Sequence, residues 1–272
     1  MERLRRARLF PNAPLSPPDK HCPMTGDQQR AFTLIELLVV MAVIVILMAM
    51  VVPAFTTGSS AQNVTTAAYD MAGALNEARA YAMANNTYVW VGFFEESAAQ
   101  ASTTPATSGM GRIVLSIVAS KDGTMIYNPP NSLPIASGSM TMGLTQVNKL
   151  VKIDNMHLKT FPIPTAGVTF LTRPAVSGTG AQIGDATDAG GSQAPFQYPV
   201  GNPAPRAQYV FRTAIQFSPS GVARLNDMSQ PLQTVMEIGL QPTHGTVVAA
   251  NSQNVAVVQL TGISGNVEIY KP

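Results

Sequence analysis

One run of residues restricts this chain more than any other. Between Phe32 and Phe55, "FTLIELLVVMAVIVILMAMVVPAF", the single charged residue is Glu36, and sixteen uncharged residues, Leu37 to Val52, follow it. A helix rises about 1.5 Å per residue, so Leu37–Val52 covers roughly 24 Å, short of a hydrocarbon slab of about 30 Å. Adding Phe32–Glu36 extends the run to about 31 Å. A spanning helix therefore places Glu36 within or at the edge of the apolar layer. An unpaired carboxylate there costs roughly 2.5–3.5 kcal/mol or more.

What precedes the run bears on that cost. An ordinary secretory leader has a basic start, a central apolar stretch and a small-residue cut site after it. Here the order is inverted: the polar stretch "GDQQRA" ends in Ala31, and the apolar run comes next. Cutting between Ala31 and Phe32 removes the polar head and keeps the hydrophobic helix. It also creates an α-amino group at Phe32, four residues and about one helical turn before Glu36. Three settings for the carboxylate follow: the amine of its own chain, the amine of a neighbouring subunit, or headgroup water at the membrane edge. The first two offset desolvation, and the second also fixes register between subunits.

Composition sets further limits. The 272 residues are 46 % apolar and 12 % charged, with 21 Gly and 21 Pro, as suits a β-rich body with many turns plus one membrane-active segment. The net charge of +2 hides an asymmetry. Residues 1–31 hold six Lys/Arg (Arg3, Arg5, Arg6, Arg8, Lys20, Arg30) against Glu2, Asp19 and Asp27, leaving 32–272 a net of −1. A body without a basic field argues against nucleic acid as a partner. The one cysteine, Cys22, lies in the basic leader and has no apolar stretch before it to present a lipid. Beyond residue 31 there is no cysteine, hence no disulfide framework and no thiolate metal site.

After the polar stretch "TTGSSAQN", helical periodicity resumes. Val64, Ala67, Ala68, Met71, Ala74, Leu75, Ala78, Tyr81 and Ala82 recur at three- and four-residue steps and draw a core-facing stripe, with "NNT" at 85–87 as the stop. "TYVWVGFF" (87–94) reads as a strand in which Tyr88 and Trp90 share a core-packed face. The loop "EESAAQASTTPATSGMG" follows, its Glu95-Glu96 pair facing water. "RIVLSIVAS" (112–120) and "TMIYN" read as a hairpin turning at Asp122-Gly123. "KLVKIDNMHL" and "GVTFLT" are further strand candidates. Residues 176–205 collapse to small and polar types and read as a long surface insertion or mobile loop. The end is regular again: "QYVFRTAIQFSPSGVARL" (strand, turn, strand), "QTVMEIGL", "NVAVVQL" and "GNVEIYKP". The expected fold class is α+β: a long N-terminal hydrophobic helix continuing into an amphipathic one, packed on an antiparallel sheet. The expected divisions are a leader over 1–31, the hydrophobic helix over 32–55, the amphipathic helix over 56–86 and a β-rich body over 87–272.

No chemistry-bearing constellation emerges. His157 and His244 lack acidic or cysteine neighbours at ligand spacing, so no metal is expected. "SPSG" and "GISG" are turns rather than nucleophile elbows, and no phosphate-binding glycine pattern occurs. The chain reads as no enzyme, with no catalytic residue and no cofactor.

"AFTLIELLVVMAVIVILMAMVVPAF" (Ala31–Phe55) resembles the N-terminal signature of type IV pilins and type II secretion pseudopilins. The resemblance implies cleavage by a prepilin peptidase between Ala31 and Phe32 and N-methylation of Phe32. It makes Glu36 the assembly glutamate and Pro53 the proline that kinks or locally melts the helix, and physics agrees on Pro53, which lacks an N–H and clashes with the preceding turn. Ala31 stands where glycine is usual, and the leader is long; Met24 would start a shorter one, "MTGDQQRA". More diffusely, Ala74, Leu75, Ala78, Arg79 and Ala82, then Ile215, Phe217, Pro219 and Gly221, resemble the H-type minor pseudopilins and FimT-like minor pilins. "AMANNTYVWVGFFEE" is similar to pilin-like cassette proteins of large bacterial genomes. The implied function is a structural minor subunit of a type IV pilus-like or type II secretion pseudopilus filament. Its implied partners are other pilin or pseudopilin subunits, the prepilin peptidase and the inner membrane, with Arg30 on the cytoplasmic side and the body extracytoplasmic. The alternative is a membrane-anchored binding or adhesin module. Secretion, adhesion, motility and DNA uptake are not distinguished by these residues.

Overall fold

Residues with small apolar side chains at helical spacing need a surface that can approach them closely, and a broad sheet provides it. A computed structural model describes residues 33–101, 106–123, 143–163, 173–177, 179–185, 196–200, 208–225, 232–250 and 252–272, with side chains described outside 49–61. The chain divides into two units, Met1–Met50 and Val51–Pro272. The cut at Ala31–Phe32 and the strand candidates "TMIYN" and "GVTFLT" lie outside the described residues.

One helix, α1, spans Leu34–Ala84. Pro53 and the polar residues after it lie within this helix. Proline removes one backbone donor, and the bonds on either side can hold the remainder of the helix. The helix ends as the sequence indicates. Asn86 turns left-handed at φ 49°, and the Thr87 N–H donates to Ala82 O at 3.1 Å, closing a Schellman-type cap.

Thirteen strands follow among the described residues. These are β1 (Val89–Ser97), β2 (Gly111–Ser120), β3 (Leu144–Gln146), β4 (Val151–Leu158), β5 (Gln182–Ile183), β6 (Phe196–Tyr198), β7 (Tyr209–Phe211), β8 (Thr213–Phe217), β9 (Ala223–Leu225), β10 (Val235–His244), β11 (Val247–Val248), β12 (Ala256–Thr261) and β13 (Val267–Tyr270). The main sheet runs β13-β12-β10-β4-β2-β1-β8-β9, with β3, β5 and β11 beside that path. Pairing is antiparallel except for β5 on β10. Its two ends approach one another, since the Ala223 N–H of β9 donates at 2.8 Å to Gly262 O, between β12 and β13.

The alanine-rich stripe occupies the concave side. Val64, Ala67, Ala68, Met71, Ala74, Leu75, Ala78 and Ala82 are buried and share one core with Val91, Phe93, Leu115, Ile117, Ile215, Phe217, Ile238 and Leu260. Burial of these apolar groups supplies the main favourable term in folding. The resemblance motifs meet here: Arg79 lies against Gly221 of the "SPSG" turn and Gly265 of the "GISG" turn.

The opposite side of β1, β2 and β8 is also covered, so β1 and β2 are buried almost throughout rather than in alternation. Trp90, Val114, Val118 and Ala214 form a second core with Phe196, Tyr209 and Phe211 of the β6–β7 ribbon, and Tyr88 packs at its margin. The core role of Trp90 and Tyr88 is thus observed, with ring centroids 6.5 Å apart. Gly92 allows the ribbon to seat: a methyl there would lie 2.5 Å from Phe196 Cζ and 2.7 Å from Phe211 Cβ. Gly92→Ala should therefore cost about 1–3 kcal/mol through overpacking. Denaturant unfolding of the full chain in detergent would measure it, and an unchanged midpoint would place the ribbon elsewhere.

Two expectations need correction. Glu95 and Glu96 do not open a solvated loop; they lie within β1 and are 5 % and 2 % exposed. Parts of 176–205 are integrated into the fold: β5 joins the main sheet, β6 builds the ribbon, and Val176, Ile183 and Phe196 are buried. Short strands of two or three residues carry too few side chains to show a period.

Candidate functional site

The helix start is the first candidate site. Thr33 precedes the first helical residue, and its Oγ1 accepts from the Glu36 N–H at 3.3 Å. Thr33 O accepts from the N–H groups of Glu36 and Leu37 at 3.1 and 3.2 Å. "TLIE" is thus an N-cap followed three residues later by glutamate, the pattern of a capping box. The carboxylate of Glu36 lies in the first turn, where helix dipole and unpaired amides favour negative charge. Leu34, Ile35, Leu37 and Leu38 beside it are all more than half exposed. An apolar surface of this kind requires a partner, lipid or protein. Among the described residues no helix is long and apolar enough to cross a membrane.

Of the residues expected to form the site, Glu36 is thus placed in full, and Pro53 is placed by its backbone within α1. Ala31 and Phe32 lie outside the described residues, and so does any pairing of the Phe32 amine with Glu36.

The body holds a different set of charged groups, unanticipated from sequence. His157 Nδ1 faces Glu95 Oε1 and Oε2 at 2.8 and 3.0 Å, and Nε2 faces Asp185 Oδ1 at 2.9 Å. Lys159 Nζ donates to Asp185 Oδ2 at 2.7 Å. Gly111, at φ 109°, lies beside this group and donates its N–H to Glu95 Oε1 at 3.2 Å. A side chain there is excluded, since its Cβ would lie 2.1 Å from Gly245 O.

Glu96 belongs to a second group. It accepts from Tyr209 Oη at 3.3 Å and lies 3.5 Å from Arg112 Nη1 and 3.8 Å from Lys152 Nζ. Arg112 also bonds Asp154, and Lys152 Nζ donates to Tyr209 Oη at 2.6 Å.

The third group is the most enclosed. Arg173 Nε donates to Glu237 Oε2 at 2.8 Å and Nη2 to Oε1 at 3.3 Å, while Gln182 and Gln259 donate to the same carboxylate at 3.0 and 2.8 Å. The side chains of Arg173 and Glu237 are 0 % and 1 % exposed. In all three groups each carboxylate is held by fixed donors, an arrangement that joins strands. The sequence signal for them was weak. Glu95 and His157 are 62 positions apart, and Glu96 and Tyr209 are 113.

Comparison with known proteins bears on the helix start. The family model described as the prokaryotic N-terminal methylation motif matches residues 27–52. The chain thus carries the type IV pilin and pseudopilin signature, across the expected cut and the run that contains Thr33 and Glu36. The family bearing this motif is structural rather than enzymatic, and its members generally assemble with other pilin subunits after processing by a prepilin peptidase. No curated protein and no solved structure matches the chain.

Proposed function

We propose that this chain is a filament-building minor pilin or pseudopilin, inserted in the inner membrane, cleaved between Ala31 and Phe32, and polymerised through its N-terminal helix. The observation that carries this reading is a coincidence of position. The methylation motif at 27–52 overlies a capped helix start with one acid in its first turn and exposed apolar residues from Leu34 to Met48. A plain anchor needs apolarity alone; a charge inside it is costly unless a partner neutralises it. In this mechanism the partner is the α-amino group of Phe32 on the adjacent subunit, which exists after cleavage. The pair sets register while the apolar surfaces leave lipid for one another. The broad body, with strands drawn from the 176–205 region, suits a subunit placed in few copies rather than thousands.

Intact mass and N-terminal sequencing of the chain purified from its own cells test this. A polypeptide beginning at methylated Phe32 is expected. Retention of residues 1–31, or trimming beyond the apolar run, would overturn it in favour of a tethered binding module.

A further inference from the structure

Residues 173–177 and 179–185 form a strap across the sheet, and charge fastens both ends. At its start Arg173 pairs with Glu237. Near its end β5 takes over the lane that β4 leaves: β4 pairs with Leu240–Pro242 of β10, and β5 with Glu237 and Ile238. At its end Asp185 is gripped by His157 and Lys159.

We propose that His157 is a proton-operated clasp: charged, it fastens the Asp185 end of the strap and the end of β1 to β4, and on losing its proton it releases the strap end.

The geometry requires this. Each ring nitrogen of His157 faces a carboxylate, Glu95 from β1 and Asp185 from the strap. An imidazolium donates to both, whereas a neutral ring donates once and turns a lone pair on the other carboxylate. The remaining neighbours do not compensate: Gln241, opposite on β10, is neutral, Gly111 of β2 has no side chain, and Lys159 pairs with Asp185. Burial alone would lower the His157 pKa, but the bond and charge of Glu95, then those of Asp185, outweigh it and hold it above the ordinary 6.5. Burial alone would raise the Asp185 pKa, and Lys159 first, then His157, hold it below 3.8.

The signs follow from linkage. The histidine contribution is complete below pH 6.5 and fades as pH rises through the higher folded value. The aspartate contribution is present above 3.8 and fades as pH falls through the lower folded value. The clasp is therefore tightest in mild acid and opens toward alkaline pH. Lys159–Asp185 persists there but is partly exposed and holds weakly. The Arg173–Glu237 pair at the other end does not involve His157, so release is confined to the strap end.

Hydrogen exchange on the full-length protein in detergent tests this, with amide rates at Ile183–Asp185 corrected for intrinsic pH dependence. Between about pH 5.5 and about pH 8.5, exchange should rise about tenfold for each pH unit by which the histidine pKa exceeds its unfolded value. His157→Gln should exchange fast at both. Because that variant could fail to fold, the imidazole nitrogens of the wild-type protein are also titrated by NMR, with a His157 midpoint above 6.5 expected. Equal protection of the wild-type strap at both pH values, a pH response that survives in His157→Gln, or a midpoint at or below 6.5 would each overturn the clasp.

Discussion

Replacing Glu36 by alanine is expected to remove the protein from filaments while its membrane-inserted, processed form stays at normal abundance. Two effects act in the same direction. In the bilayer the variant no longer carries a buried carboxylate, so retention in lipid gains roughly 2.5–3.5 kcal/mol, about a hundredfold in partition at 1.4 kcal/mol per factor of ten. In the filament the adjacent Phe32 amine loses its counter-charge, and stranding one member of a buried charge pair costs on the order of 2–5 kcal/mol. Together they should lower incorporation by at least about a thousandfold on the same scale. Cleavage should be unaffected, because the proposed cut before Phe32 is four positions away from Glu36 in the sequence. Immunoblots of sheared filaments and of membranes, normalised to processed protein, give the ratio. If the alanine variant assembled normally, the carboxylate would have no part in polymerisation, and the tethered module would account better for the chain.

The second large effect is in the body. Arg173→Ala should destabilise it by about 3–5 kcal/mol, because Glu237 remains buried with its charge uncompensated. At roughly 2–4 °C per kcal/mol for a domain of this size, Tm should fall by on the order of 6–20 °C. Gln182 and Gln259 still donate to Glu237 in the variant, but amide donors do not cancel a charge. Glu237→Leu should be comparably harmful, since it leaves the buried guanidinium bonded to Pro162 O but without its counter-charge. The double variant Arg173→Met/Glu237→Leu should lose much less than the sum of the singles, as expected of residues in one network. High salt should change these differences little, because the pair is closed to solvent. Additive single losses, or a loss under about 1 kcal/mol for Arg173→Ala, would mean that the pair is not held as described.

The distribution of these effects follows how information is stored in the chain. The helix start is a contiguous code: Thr33 and Glu36 are three positions apart, so a cap, an acid and an apolar run can be recognised from neighbours. The stripe from Val64 to Ala82 is nearly as local, and each of its residues named from periodicity is buried or, for Tyr81, packed against the core. Strand positions followed from β-branched residues: 112–120 falls within β2, and "NVAVVQL" contains most of β12.

The polar interior did not follow in this way. Glu95 and Glu96 precede a Ser- and Ala-rich stretch and look solvated, yet β2 and β4 carry Arg112 and His157 to them. Gln182 and Ile183 sit in small, polar sequence, yet they complete the sheet beside β10. Gly92 gave no local indication of the two aromatic rings that close over it.

The residues by themselves determined what depends on near neighbours: the acid-marked start of the apolar run, the methylation motif, the small-residue stripe, and the β character of the body. Tertiary structure decided which charges are interior and which partner each one has. A carboxylate's ionic environment depends on groups brought together by strand order and register, and those are set by burying apolar area over the whole sheet.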